Sequence, residues 1–235
     1  MKRLAGGVAD RVRLLRLAAR RLAGRRFWVL PITPVLWVGF QVLALVMGWT
    51  QGSFEPSDAQ NLLIGVPLAV LGMFLGVRVM AGEIDERTLE IAYTVPGGTH
   101  RVWLAKLGAA VLILLVAELL LATATFVFCT SFSWSALYGA LQAAVFYLVL
   151  AMGLSALTKS EATGAMLTTG VLIVNTFLQG TRLTPFWNPA SFENDAAADV
   201  LAWTVQNRIG FALVTVAIAV LAFGRAERRE KMLGG

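Results

Sequence analysis

Long apolar runs alternate with short polar breaks along the chain, and the runs set the elements. They predict membrane spans near residues 27–49, 61–80, 102–128, 134–157, 162–179 and 207–224. Each is about 20 residues, the length at which a helix crosses a bilayer. The expected fold class is therefore all-α: an N-terminal amphipathic helix lying in the membrane interface, followed by six transmembrane helices. Pro31 and Pro34 fall in the opening turns of the first run, where a missing N–H costs little. Pro67 predicts a kink in the second run, and residues 129–133 read as a tight turn between the third and fourth. The fifth run is the weakest, because threonines, Asn175 and Gln179 interrupt it. Residues 180–206 form the longest external link. Within it lies a turn with two prolines, Thr184-Pro185-Phe186-Trp187-Asn188-Pro189, and residues 199–205 behind it read either as a short surface helix or as an extension of the sixth span.

The first 26 residues break the apolar pattern. Val8, Val12, Leu15, Ala19 and Leu22 recur at helical spacing and form one stripe, while Arg13, Arg16 and Arg20 share another face. Leu14 and Leu17 fall off the stripe. A basic amphipathic helix of this kind suits the interface, among anionic lipid heads. The plainer alternative is a solvated positive tail. No small-residue cleavage site follows the first apolar run, so a secretory signal peptide is not expected.

Charge then orients the array. The N-terminal stretch holds nine basic residues, the 78–106 region four, the 158–161 link one and the C-terminal tail four, all on one side. The other side has only Arg182 and Arg208, with Glu55, Asp58, Glu193, Asp195 and Asp199. Basic residues accumulate in cytoplasmic loops, so both termini are expected inside a multi-pass cell-membrane protein. The domains read as 1–26 (interfacial helix), 27–224 (six-helix transmembrane domain with a cytoplasmic loop at 82–101 and the link 180–206) and 225–235 (basic tail). Composition agrees: 57% of residues are hydrophobic and 14% charged, where soluble domains approach a quarter charged. The net charge of +6 flanks spans and does not cover a soluble face, which argues against nucleic acid as a partner. One cysteine, Cys129, excludes an internal disulfide, and one histidine, His100, excludes a bis-histidine haem.

The central cytoplasmic stretch, 82–106, organises the rest. Glu83, Asp85, Glu86, Arg87, Glu90 and Arg101 cannot sit together in hydrocarbon, so the segment lies in water or against another protein. Its first half reads as a helix, with Glu83 and Arg87 at i,i+4 and Ile84, Leu89 and Ile91 as apolar members; Pro96-Gly97-Gly98 ends it. The order Glu86-Arg87-Thr88-Leu89-Glu90, then Thr94-Val95-Pro96, Arg101 and Lys106, resembles the loop after the second span of type-2 ATP-binding-cassette (ABC) exporter permeases. It departs at Arg87, where the family usually has glycine, and by one extra residue, Val95.

The resemblance implies a permease half of six spans, whose loop carries a coupling helix docked on a cytoplasmic ATPase. Glu83, Ile84, Asp85, Glu86, Arg87, Thr88, Leu89 and Glu90 become the expected ATPase contact. It further implies two ATPase subunits holding ATP and Mg, a second permease half (identical or related) and membrane lipid as partners. This chain itself binds no cofactor or metal and is not an enzyme: it has no GxxxxGK[ST] loop, nucleophile–base pair or metal cluster. The competing reading is a non-transporting membrane anchor or assembly subunit that docks a cytoplasmic partner through the same loop. A proton-coupled carrier would want paired broken helices or an internal repeat, which the chain lacks.

Three residues are candidates for the translocation path. Glu118 is the only acid deep within a span, and an ionisable group there faces protein or water. It reads equally as a structural carboxyl between helices. Asn175 and Gln179, one turn apart, are able to hydrogen-bond a substrate, although such amides more often hold helices together. A path of Leu, Val, Ala and Phe suits drugs, lipids and peptides alike, so the cargo is expected only to be small and amphipathic or hydrophobic.

Overall fold

The computed structural model describes residues 2–49, 52–85, 99–178, 180–192 and 195–226, with side chains described from Arg13 onward except at 84, 85 and 99. Every regular element among them is helical. Helix α1 is Lys2–Ala23 and α2 is Val35–Val46. Helix α3 is continuous, α-helical over Pro56–Asp58, π-helical over Ala59–Gly65 and α-helical over Val66–Asp85. Helices α4 (Thr99–Phe128), α5 (Trp134–Thr158), α6 (Glu161–Phe177) and α7 (Ala197–Ala226) complete the order.

Four of these helices, α3, α4, α5 and α7, are long and apolar enough to cross a membrane, where the sequence predicts six. The two shortfalls have local causes. In the first predicted span, Phe27–Val29 is 3₁₀ and the α-helix begins only after Pro34, which serves as its N-cap. The α-helix has 12 residues, about 18 Å at 1.5 Å each, well short of the roughly 30 Å hydrocarbon core. In the fifth, α6 has 17 residues, about 26 Å, and ends at Phe177 before Gln179.

The expected disturbance at Pro67 takes the form of the π-helical turn just before it. Proline has no N–H and its ring crowds the carbonyl four residues back, and a wider turn relieves both. The stretch 199–205 is an extension of the last span: α7 begins at Ala197, so the outer link is shorter than 180–206.

Helix α5 is the centre. It packs against α3, α4, α6 and α7, and buries Ala136, Gly139, Ala140, Ala143, Ala144, Ala151, Gly153, Ser155 and Ala156. Small residues let backbones approach, which matters in lipid because apolar side chains gain nothing by leaving lipid for one another. The closest approach is to α3. A Cβ on Gly72 would lie 2.6 Å from the Ala144 carbonyl oxygen, and one on Gly76 would overlap the Leu148 carbonyl. A Cβ on Gly164 of α6 would lie 2.6 Å from the Ser155 Cα of α5.

These contacts also fix direction. Gly72 meets Ala144 and Gly76 meets Leu148, so α3 and α5 run parallel. Gln142 bonds Arg208 and Gly153 meets Ile218, so α5 and α7 are parallel too. Helix α6 lies between them in sequence and runs the opposite way, with Gly164 at Ser155 and Asn175 at Tyr147.

Gly76→Leu is expected to destabilise the protein by about 1–3 kcal/mol or more through overpacking. Gly170→Ala in α6, where an added Cβ meets nothing within 4 Å, should leave stability unchanged or raise it. Thermal unfolding of the detergent-solubilised variants checks both.

Candidate functional site

At one end of the bundle, α3 delivers Arg78 and Glu83, α4 delivers Lys106, and α1 delivers its last turn. Lys106 is buried, and its Nζ lies 2.8 Å from Glu83 Oε1 while donating to the Val79 carbonyl at 3.3 Å. This pair fastens the end of α3 to α4. Arg78 donates through Nη1 to the Leu22 carbonyl at 3.1 Å, and its Nε lies 3.5 Å from Glu161 Oε2. One side chain thus ties the end of α1 to α3 and to the start of α6. Helix α1 buries Ala18, Ala19 and Leu22 and packs mainly on α4. Arg13, Arg16 and Arg20 stay exposed, as do Leu14 and Leu17.

Of the predicted ATPase contact, Glu83 is placed on Lys106 and points into the bundle. Ile84 and Asp85 close the last turn of α3, and their side chains lie outside the described residues. Glu86, Arg87, Thr88, Leu89 and Glu90 lie outside the described residues altogether, as does Gln179.

Of the translocation candidates, Glu118 and Asn175 are described, and no hydrogen bond joins them. Glu118 is buried on α4, its Oε1 without a hydrogen-bond partner, and no basic residue pairs with it among the described residues. Asn175 donates through Nδ2 to the Tyr147 hydroxyl at 2.9 Å, and its carbonyl accepts from Thr184 Oγ1 at 3.4 Å. It holds α6 to α5 and to the following turn. Cys129, just past α4, is half-buried, and burial pushes its thiol above the ordinary value, so the nucleophilic thiolate is scarcer at neutral pH. Among the described residues no three His, Cys, Asp or Glu are grouped to hold a metal.

The opposite end carries a polar lock that sequence reasoning missed. The two-proline turn is not a surface loop: Thr184, Phe186, Trp187 and Asn188 are all buried. The Trp187 carbonyl accepts from Gln60 Nε2 of α3 at 2.7 Å and from Arg208 Nη2 of α7 at 3.3 Å. Arg208 also donates to Gln142 Oε1 of α5 at 3.4 Å, and Gln142 returns a 2.6 Å bond to the Arg208 carbonyl. Asn188 Nδ2 donates to the Ser57 carbonyl at 2.7 Å, and Asn207 Nδ2 to the carbonyls of Arg182 and Thr184 at 2.8 and 2.9 Å. Gly139 makes the room, because a Cβ there would collide with the Arg208 guanidinium. The signal available in sequence was four polar residues, Gln60, Asn207 and Arg208 at the margins of apolar runs and Gln142 within one, where unpaired polar groups are costly.

Comparison with family models, curated proteins and solved structures finds no match. The chain is read from its own geometry.

That geometry is a bundle closed by hydrogen bonds at one end and fastened by an ion pair at the other. Lys106→Met is expected to cost about 3–5 kcal/mol, because it strands the Glu83 carboxylate. The double variant Lys106→Met/Glu83→Met should recover part of that loss. Unfolding of the two singles and the double, read as a cycle, checks the coupling.

Proposed function

We propose that this chain is one permease half of a type-2 ABC exporter. It forms half of a translocation path and couples ATP hydrolysis in separate cytoplasmic subunits to export of a small amphipathic or hydrophobic cargo. The observation that carries the reading is the hairpin of α3 and α4. Two long apolar helices are joined at their bases by Lys106 and Glu83, with the charged stretch 86–98 connecting them. A push on that stretch reaches the bilayer through two stiff rods, and α1 is tied to the same base through Arg78.

Parallel packing of α3, α5 and α7 supports the topology. On this reading α4, α6 and the 27–46 segment are the return passes, the last two shorter than the four main spans, and both termini stay on the basic, cytoplasmic side. Apolar faces on α4 and α7 remain exposed, with Leu119, Leu213, Val216 and Val220 among them, and would meet lipid or the second permease half. The lock around Trp187 would close the outer end of the half, to be strained or released as the ATPases close.

Glu86→Lys with Glu90→Lys reverses two charges in the loop without touching the Lys106–Glu83 base. Single surface charges contribute little, so the double change is the fair test. The permease is expected to insert normally while ATPase association and transport-stimulated hydrolysis fall. Normal ATPase binding and transport in the double variant would sink the assignment.

A further inference from the structure

A cleft of about 870 Å³ opens beside the lock, between the stretch after α6 and the first half of α7. Trp203, Asn207, Gly210 and Val214 line it at i, i+4, i+7 and i+11, so it follows one face of α7 for about 17 Å. The two ends differ in chemistry. Arg182 and Asp195 stand at the mouth, with Trp187 and Trp203 as walls, while the far end is Gly210, Phe211 and Val214. A polar mouth with indoles, running into an apolar trough, is the profile of a membrane–water boundary.

The mouth carries both charge signs, and they are not spent on each other. Neither Arg182 nor Asp195 forms an ion pair among the described residues. The Arg182 guanidinium lies over the Trp203 ring, 4.2 Å from its centroid, a contact that leaves N–H groups available for a phosphate. The Asn207 side chain, buried beneath, fixes the Arg182 carbonyl at 2.8 Å, so the backbone carrying the cation is pinned. Asn207 Oδ1 has no donor among the described residues. At the apolar end Gly210 leaves open space: a Cβ there would meet nothing within 4 Å.

We propose that this cleft binds an ethanolamine phospholipid from the leaflet at the N-terminal end of α7. Arg182 takes the phosphate, Asp195 takes the ammonium, and the trough along Gly210 and Val214 takes the first part of an acyl chain. Charge complementarity selects a zwitterionic head, and a primary ammonium, unlike a quaternary one, donates hydrogen bonds to the Asp195 carboxylate. A purely anionic lipid would leave Asp195 repelled, and a cationic amphiphile would face Arg182. The inference requires only that the chain sits in a bilayer and does not depend on transport.

The test is native mass spectrometry of the full-length, detergent-purified chain titrated with a palmitoyl-oleoyl phosphatidylethanolamine or with the phosphatidylglycerol of the same chains. The wild type is expected to retain the ethanolamine lipid about tenfold more tightly, the order of one charge-assisted contact. Asp195→Asn should remove that preference while sparing phosphatidylglycerol, and Arg182→Gln should weaken both lipids. Gly210→Leu, whose Cβ meets no atom within 4 Å, should weaken both with unchanged thermal stability. Equal retention of the two lipids by the wild type overturns the proposal. So does preference for phosphatidylglycerol, or unchanged lipid binding in Arg182→Gln and Asp195→Asn.

Discussion

Two glycines one turn apart, Gly72 and Gly76, let α3 lie on α5 backbone to backbone, and the positions of the other helices follow. In a bilayer the surrounding lipid is as apolar as leucine, so burial alone does not drive helices together. What remains is dispersion between closely apposed backbones, together with the hydrogen bonds that closeness permits. With α3 and α5 fixed as a parallel pair, α6 is seated on α5 by the same device at Gly164, while α7 reaches Gly153 through the Ile218 side chain. Helix α4 joins α3 through the Lys106–Glu83 pair at one end.

That seam also explains where polar groups are tolerated. The middle of the α3–α5 contact is made of Leu, Ala, Gly and Phe, and polar side chains concentrate at its two ends. At one, Gln60, Gln142, Asn207 and Arg208 satisfy the carbonyls of a turn that proline prevents from forming regular structure. At the other, Arg78 and Lys106 satisfy carbonyls of α1 and α3 and pair with acids. Glu118 stands apart, a buried carboxyl in α4 with one oxygen unpartnered.

Much of this was legible in the chain. Apolar runs bounded by charge located α4 and α5 nearly to the residue, because nothing inside those runs competes with helix. Where a local signal admitted two outcomes, the sequence could not choose. Pro31 and Pro34 are tolerated in an opening turn, yet they delay the α-helix to Val35 and leave α2 with only 12 residues. Residues 197–206 are mixed in polarity, and only the structure shows them as the first turns of α7. The lock was invisible for a different reason. Gln60, Gln142, Trp187 and Arg208 are far apart in the chain, and their meeting is a product of tertiary packing. The sequence reading passed over Gly72 and Gly76, and their spacing would not have named the partner helix, which the small residues of α5 supply.

The central claim is that the α3–α4 hairpin presents residues 86–98 to the cytoplasm, while the lock and the start of α7 face outward. Sidedness measures it most directly, with topology reporters fused after Asp58, Gly98, Lys159 and Asp195. The account predicts a cytoplasmic signal at Gly98 and Lys159 and an external one at Asp58 and Asp195. An external signal at Gly98 would contradict it, because a loop on that side cannot meet a cytoplasmic ATPase.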